Sequence, residues 1–196
     1  PDVSSSSVYR PAIEALADRH VINGNPDGTF APSRTVNRAE FLTMLYRSKS
    51  MNPAAATKSC FKDVPADAWF SAIVCDAVTK GSVSGYSDKT FRPQQAVNRV
   101  EALKMLFTVL GLSQQTTLDA TDKALSYADV SSSAWYMQYL SASFKLRILP
   151  LPVDEGNMMH PEQGLTRQEA AAYIYNATSP EPLSLAMLSS STASSS

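Results

Sequence analysis

Apolar residues crowd three stretches of this chain so densely that little polar face remains: VNRAEFLTMLYR, VNRVEALKMLFTVLG and LTRQEAAAYIYN. Phe41, Leu42, Met44, Leu45 and Tyr46 align with Ala102, Leu103, Met105, Leu106 and Phe107, then with Ala170, Ala171, Tyr173, Ile174 and Tyr175. A helix that is apolar nearly all round is one buried on most sides. Asn37 with Glu40, Asn98 with Glu101, and Thr166 with Glu169 have the spacing of capping boxes, so the helices begin at Arg38, Arg99 and Arg167. Gly111 predicts the stop of the middle one. Three such helices predict a central three-helix bundle, with Leu45, Leu106 and Ile174 meeting near a pseudo-threefold axis.

A more one-sided pattern precedes each of these helices. In AWFSAIVCDAVTK, Trp69, Ile73, Ala77 and Lys80 line one stripe and Phe70, Val74 and Val78 the next, a face expected to pack inward after caps at Ser6, Asp67 and Ser133. The intervening loops INGNPDGTFAP and VSGYSDKTFRP are dense in turn formers and predict a tight turn with the Phe tucked beneath it. Arg38 and Arg99 are 61 positions apart, and the same shift places Asp2-Val3 on Asp63-Val64, Gly24 on Gly85, Asp27 on Asp88 and Thr29-Phe30 on Thr90-Phe91. A third, more divergent copy begins at Asp129-Val130, sets Trp135 under Trp69, and ends on the helix from Arg167. The chain therefore reads as three helix-loop-helix repeats, 2–50, 61–112 and 127–178. Residues 179–196 read as a tail, Ser-rich from Ser189.

Composition narrows the function. A chain of 196 residues with 44% hydrophobic and 18% charged content is ordinary for a globular protein. A formal charge of −1 without a basic run argues against nucleic acid as a partner, and no apolar run approaches the ~18 residues of a membrane span. Cys60 and Cys75 admit two readings: a disulfide, which implies an oxidising, extracellular setting, or a small buried apolar Cys75. No metal site, cofactor motif or catalytic residue stands out. The loop from Asn23 imitates a calcium loop but has Arg34 where the bidentate Glu belongs, and His20 and His160 fit no triad.

The order Asp-Val, Trp, helix, Gly-Tyr-x-Asp-x-Thr-Phe-x-Pro, Asn/Thr-Arg-x-Glu resembles the S-layer homology domain, over about residues 2 to 178. The resemblance implies a mainly α, pseudo-threefold domain of three repeats with a central bundle and three prongs. It implies grooves between prongs that bind a cell-wall polysaccharide, often pyruvylated, and an extracellular place on the bacterial cell surface, in the cell wall or S-layer. The chain is expected to be a portion of a larger surface protein. The family's ligand arginine falls on Arg38, Arg99 and Arg167.

These arginines sit oddly, since a cation in the first helical turn opposes the dipole by about 0.3 to 1 kcal/mol. One reading is a carboxylate site, formed by the guanidinium beside free helix N–H groups, with Trp69, Trp135 and Tyr86 as sugar-stacking walls. The other makes each arginine a brace to a neighbouring repeat's Asp2, Asp63 or Asp129, and the tryptophans core anchors. Val8 replaces Trp in the first repeat, and LPLPVDEGNMMHP replaces the loop of the third. Repeat two supplies Arg99, Trp69 and Tyr86, so grooves that draw on it are expected to dominate, and Arg99 to outweigh Arg167. The function expected is non-covalent anchoring to an anionic wall polysaccharide. The alternative is an assembly module that contacts other surface-layer subunits and has vestigial grooves.

Overall fold

A computed structural model describes residues 2–116, 127–149, 158–180 and 183. The fold is mainly helical, with six α-helices among these residues: α1 (Arg10–Asp18), α2 (Arg38–Ser48), α3 (Ser71–Thr79), α4 (Arg99–Leu110), α5 (Met137–Lys145) and α6 (Arg167–Thr178). The capping boxes at Asn37, Asn98 and Thr166 are all formed, and Gly111 closes α4 in the left-handed conformation at φ 74°. Almost every apolar side chain of α2, α4 and α6 is buried, Leu45, Leu106 and Ile174 completely. All six helices contribute to one hydrophobic core.

The even-numbered helices are joined at their starts. Val36 N–H donates to the Leu165 carbonyl (2.9 Å), Leu165 N–H to Val97 (2.8 Å), and Val97 N–H to Val36 (3.1 Å), which closes a ring of three hydrogen bonds among fully buried residues. Bridges between Thr35 and Thr166, Asn37 and Ala96, and Asn98 and Gly164 flank it. The odd helices interlock around this centre: α3 lies on α2, α5 on α4 and α1 on α6, while α2 touches both α4 and α6. Each pair is thus completed by a neighbour.

Helices α1, α3 and α5 start later than Ser6, Asp67 and Ser133 predict. Ser7 N–H donates to Ser4, Ala68 to Pro65 and Ala134 to Ser131, so the segment turns before the helix begins, and Tyr9, Phe70 and Tyr136 are N-caps without a side-chain cap bond. The consequence falls on the tryptophans. Trp69 and Trp135 lie in the turn ahead of the helix and are 60% and 53% exposed, while Phe70, Val74 and Ala77 form the buried stripe. The expectation that Trp69 packs inward is overturned.

The loops are pinned in the same way three times. Asp2 accepts the N–H groups of Phe30 (2.7 Å) and Ala31 (2.6 Å), Asp63 those of Phe91 and Arg92, and Asp129 those of Met159 and His160. Ala31, Arg92 and His160 have φ of 54°, 57° and 49°, a left-handed conformation that is uncommon for non-glycine residues. A carboxylate accepting two successive N–H groups offsets that strain. Phe30 and Phe91 are buried under their turns as predicted. Ahead of Asp63, Cys60 is disulfide-bonded to Cys75 of α3, and the adjacent Phe61 ring packs against the second loop where a Gly85 side chain would otherwise stand.

Candidate functional site

Two grooves of corresponding composition open on the surface. One, of about 230 Å³, is lined by Arg38, the loop Ser82–Tyr86, Glu101, Lys104, Met105 and Trp135. The other, of about 190 Å³, is lined by Arg167, the loop Val21–Asn23, Glu40, Thr43, Met44, Arg47 and Trp69. Each draws its arginine, its loop and central helix, and its tryptophan from three different helix pairs.

The arginines reach across to the next loop. Arg38 Nε donates to the Phe91 carbonyl (3.0 Å) and Nη2 to Ser84 (3.3 Å); Arg167 Nε donates to Phe30 (2.7 Å) and Nη2 to Asn23 (2.8 Å). Their faces lie over aromatic rings, Arg38 on Phe91 and Tyr86 and Arg167 on Phe30, within cation–π range. Arg38 is 6% and Arg167 8% exposed. Burial pulls the Arg167 guanidinium down from its usual range, and Arg34 adds to the effect. Among the described residues neither arginine forms an ion pair with a carboxylate, so both keep their net positive charge at a groove wall.

Arg99 differs. Its Nη1 donates to Met159 (2.9 Å), but its Nη2 is ion-paired with Glu169 at 2.5 Å, with both side chains largely buried. Arg99, Trp69 and Tyr86 do not act together: Tyr86 stands with Arg38 and Trp135, and Trp69 with Arg167. A repeat's own arginine points away from its own loop and tryptophan, so Tyr86 and Trp69 of repeat two stand in different grooves.

A second correction concerns the helix N-termini. Arg38, Arg99 and Arg167 N–H donate to the carbonyls of Gln95, Gln163 and Arg34, and Ala39, Val100 and Gln168 N–H to Pro93, Pro161 and Pro32. The third N–H of each helix goes to its cap residue. These donors are satisfied internally rather than free. The aspartates pair with backbone N–H groups rather than with the arginines. Glu40, Glu101 and Glu169 are caps in all three helices, and Glu40 also pairs with Arg34 at 2.9 Å.

Lys104 and Arg47 are groove residues that the repeat motif does not mark. Each is an exposed cation in a helix that is mostly apolar beyond its first turn, an interruption that is visible in the sequence. Lys104 Nζ lies 5.5 Å from the Trp135 ring centroid. The resulting surface combines an aromatic face, a cation and a braced guanidinium, groups able to stack on an apolar ring face and to pair with an anion.

The model of the S-layer homology domain matches residues 1–42 and 61–103. A cellulosome-anchoring protein of Acetivibrio thermocellus is 30% identical over 147 residues, which cover 70% of this chain and 33% of that protein. A surface-layer 125 kDa protein of Lysinibacillus sphaericus is 29% identical over 168 residues, 85% of this chain and 14% of its own length. An amylopullulanase of Thermoanaerobacterium thermosulfurigenes is 28% identical over 166 residues, 85% of this chain and 9% of the enzyme. The chain spans a third or less of the length of these curated relatives. With two of its repeats matched by the family model and relatives aligned over most of its length, the chain belongs to the S-layer homology domain family and to the bacterial cell surface.

Proposed function

We propose that residues 1–178 act as one three-repeat unit that anchors a bacterial surface protein non-covalently to an anionic, pyruvylated wall polysaccharide, and that residues 179–196 are a linker. Surface anchoring is what the family and its named relatives support. The observation that carries the finer reading is the pair of exposed tryptophans, each beside an arginine that keeps its charge. A ketal-linked carboxylate meets the remaining donor edge of Arg38 or Arg167 while the sugar ring lies on Trp135 or Trp69. Arg99, neutralised by Glu169, is a brace between repeats. The tested quantity is affinity for purified wall polysaccharide, compared between the parent and Trp69→Ala, Trp135→Ala and the double variant. Stepwise loss, complete in the double variant, is expected; unchanged affinity in the double variant favours protein assembly over glycan anchoring.

A further inference from the structure

The two tryptophan grooves carry an additional positive charge at different places along their central helices. In the groove of Arg38 and Trp135 it is Lys104. The equivalent residue of α2 is Thr43, buried, with its hydroxyl donating to the Ala39 carbonyl at 2.8 Å. Four residues later the pattern inverts. Arg47 lines the groove of Arg167 and Trp69, and its equivalent in α4 is Thr108, whose hydroxyl donates to Ser82 at 2.6 Å. Four residues of helix separate the two positions by about 6 Å along the axis. The corresponding positions of α6 are Ala172 and Asn176, both buried, with Asn176 Nδ2 donating to Ile148. That third helix presents no cation at either position.

Lys104 and Arg47 are exposed. Among the described residues neither side chain forms a hydrogen bond or an ion pair, and the Lys104 ammonium lies over the Trp135 face. Each charge is therefore available to a ligand in its own groove. A carboxylate fixed to a rigid sugar ring cannot reach both positions from one stacked pose, because the ring's place is set by the tryptophan.

We infer that Lys104 and Arg47 are specificity-determining residues that make the two grooves select different placements of negative charge on the anionic sugar. The inference rests on the anchoring reading above. The groove of Trp135 takes the carboxylate beside the middle of α4, and the groove of Trp69 takes it one turn further along α2. A polysaccharide with acid groups in two settings then engages both grooves, and joint engagement raises its effective affinity beyond that of either alone.

The chain has two tryptophans, one per groove, so their indole N–H signals in NMR report the sites separately. The probes are a methyl mannoside carrying a pyruvate ketal, and methyl glucuronide, which set one carboxylate at different distances from the ring. In the parent the ratio of the two affinities differs between the indoles. Lys104→Thr weakens the better probe roughly five- to tenfold at Trp135 and not at Trp69, Arg47→Thr does the reverse, and Lys104→Arg restores binding. Thr43→Lys combined with Arg47→Thr shifts the probe ratio at Trp69 toward that of Trp135. If the parent titrates at both indoles and the threonine variants match it, the inference is wrong and the anchoring reading survives. If neither probe moves either indole in the parent, both fall.

Discussion

Arg99 is ion-paired with Glu169 at 2.5 Å, across the junction of α4 and α6, whereas Arg38 and Arg167 at the equivalent positions donate to backbone carbonyls. Three arginines that look alike in sequence therefore fall into two classes. Arg99→Ala leaves Glu169 largely buried without its partner and is expected to destabilise by about 2–4 kcal/mol, read from the midpoint of a denaturant titration, with little change in glycan affinity. A stability loss in Arg99→Ala no larger than that of an exposed charge variant would show the pair to be incidental.

Gly85 has the Phe61 ring so close that an added Cβ would lie 2.1 Å from one ring carbon and 2.8 Å from the Thr90 carbonyl. Gly85→Ala should destabilise by about 1–3 kcal/mol through overpacking and disturb the wall beside Tyr86. Gly24→Ala meets only the Thr29 carbonyl at 3.2 Å, so it should be milder. Chemical denaturation of the two variants side by side checks the ranking.

The Cys60–Cys75 disulfide closes a sequence separation of 15 residues. The chain-entropy model gives about 3 kcal/mol for a loop of that size. Reduction, or Cys60→Ala with Cys75→Ala, should lower the unfolding midpoint accordingly, and alkylation followed by intact mass should find no free thiol in the untreated protein. Equal midpoints before and after reduction would count against this.

Acid should loosen the loops. Phe30 N–H, with a smaller contribution from Ala31, holds the Asp2 carboxyl below the usual range. For Asp129, burial pushes upward, but the Met159 and His160 N–H groups bring the net shift below the usual range. A depressed folded pKa means stability that is present above the unfolded value and lost as pH falls through the folded one. Unfolding midpoints should thus drop as pH falls below 3.8, the ordinary aspartate value, and Asp129→Asn should flatten part of that drop. A slope identical to the parent's would remove Asp129 from the account.

The second helices were legible because capping and burial are local: Asn37, Glu40 and the apolar run after them need nothing distant to be read. The first helices were not, because turns closed on Ser4, Pro65 and Ser131 compete with side-chain capping and shift the start, which throws Trp69 outward. Site assembly was the least legible feature. Shift-by-61 alignment shows that Arg38, Arg99 and Arg167 are equivalent, but not that each reaches into the next loop, since that depends on the hydrogen-bonded ring through Val36, Val97 and Leu165. The Arg99–Glu169 pair breaks the equivalence through packing between two repeats, which one-dimensional motifs do not carry.

The central claim is that a carboxylate on the wall polysaccharide is what the grooves hold. Isothermal titration of the purified chain against purified wall polysaccharide, before and after mild acid hydrolysis that removes ketal-linked pyruvate and leaves the glycan backbone, tests it most directly. The account predicts saturable binding that is lost after hydrolysis and weakened in Arg38→Lys and Arg167→Lys, which keep the charge but not the guanidinium geometry. Undiminished binding to the hydrolysed polysaccharide would contradict it.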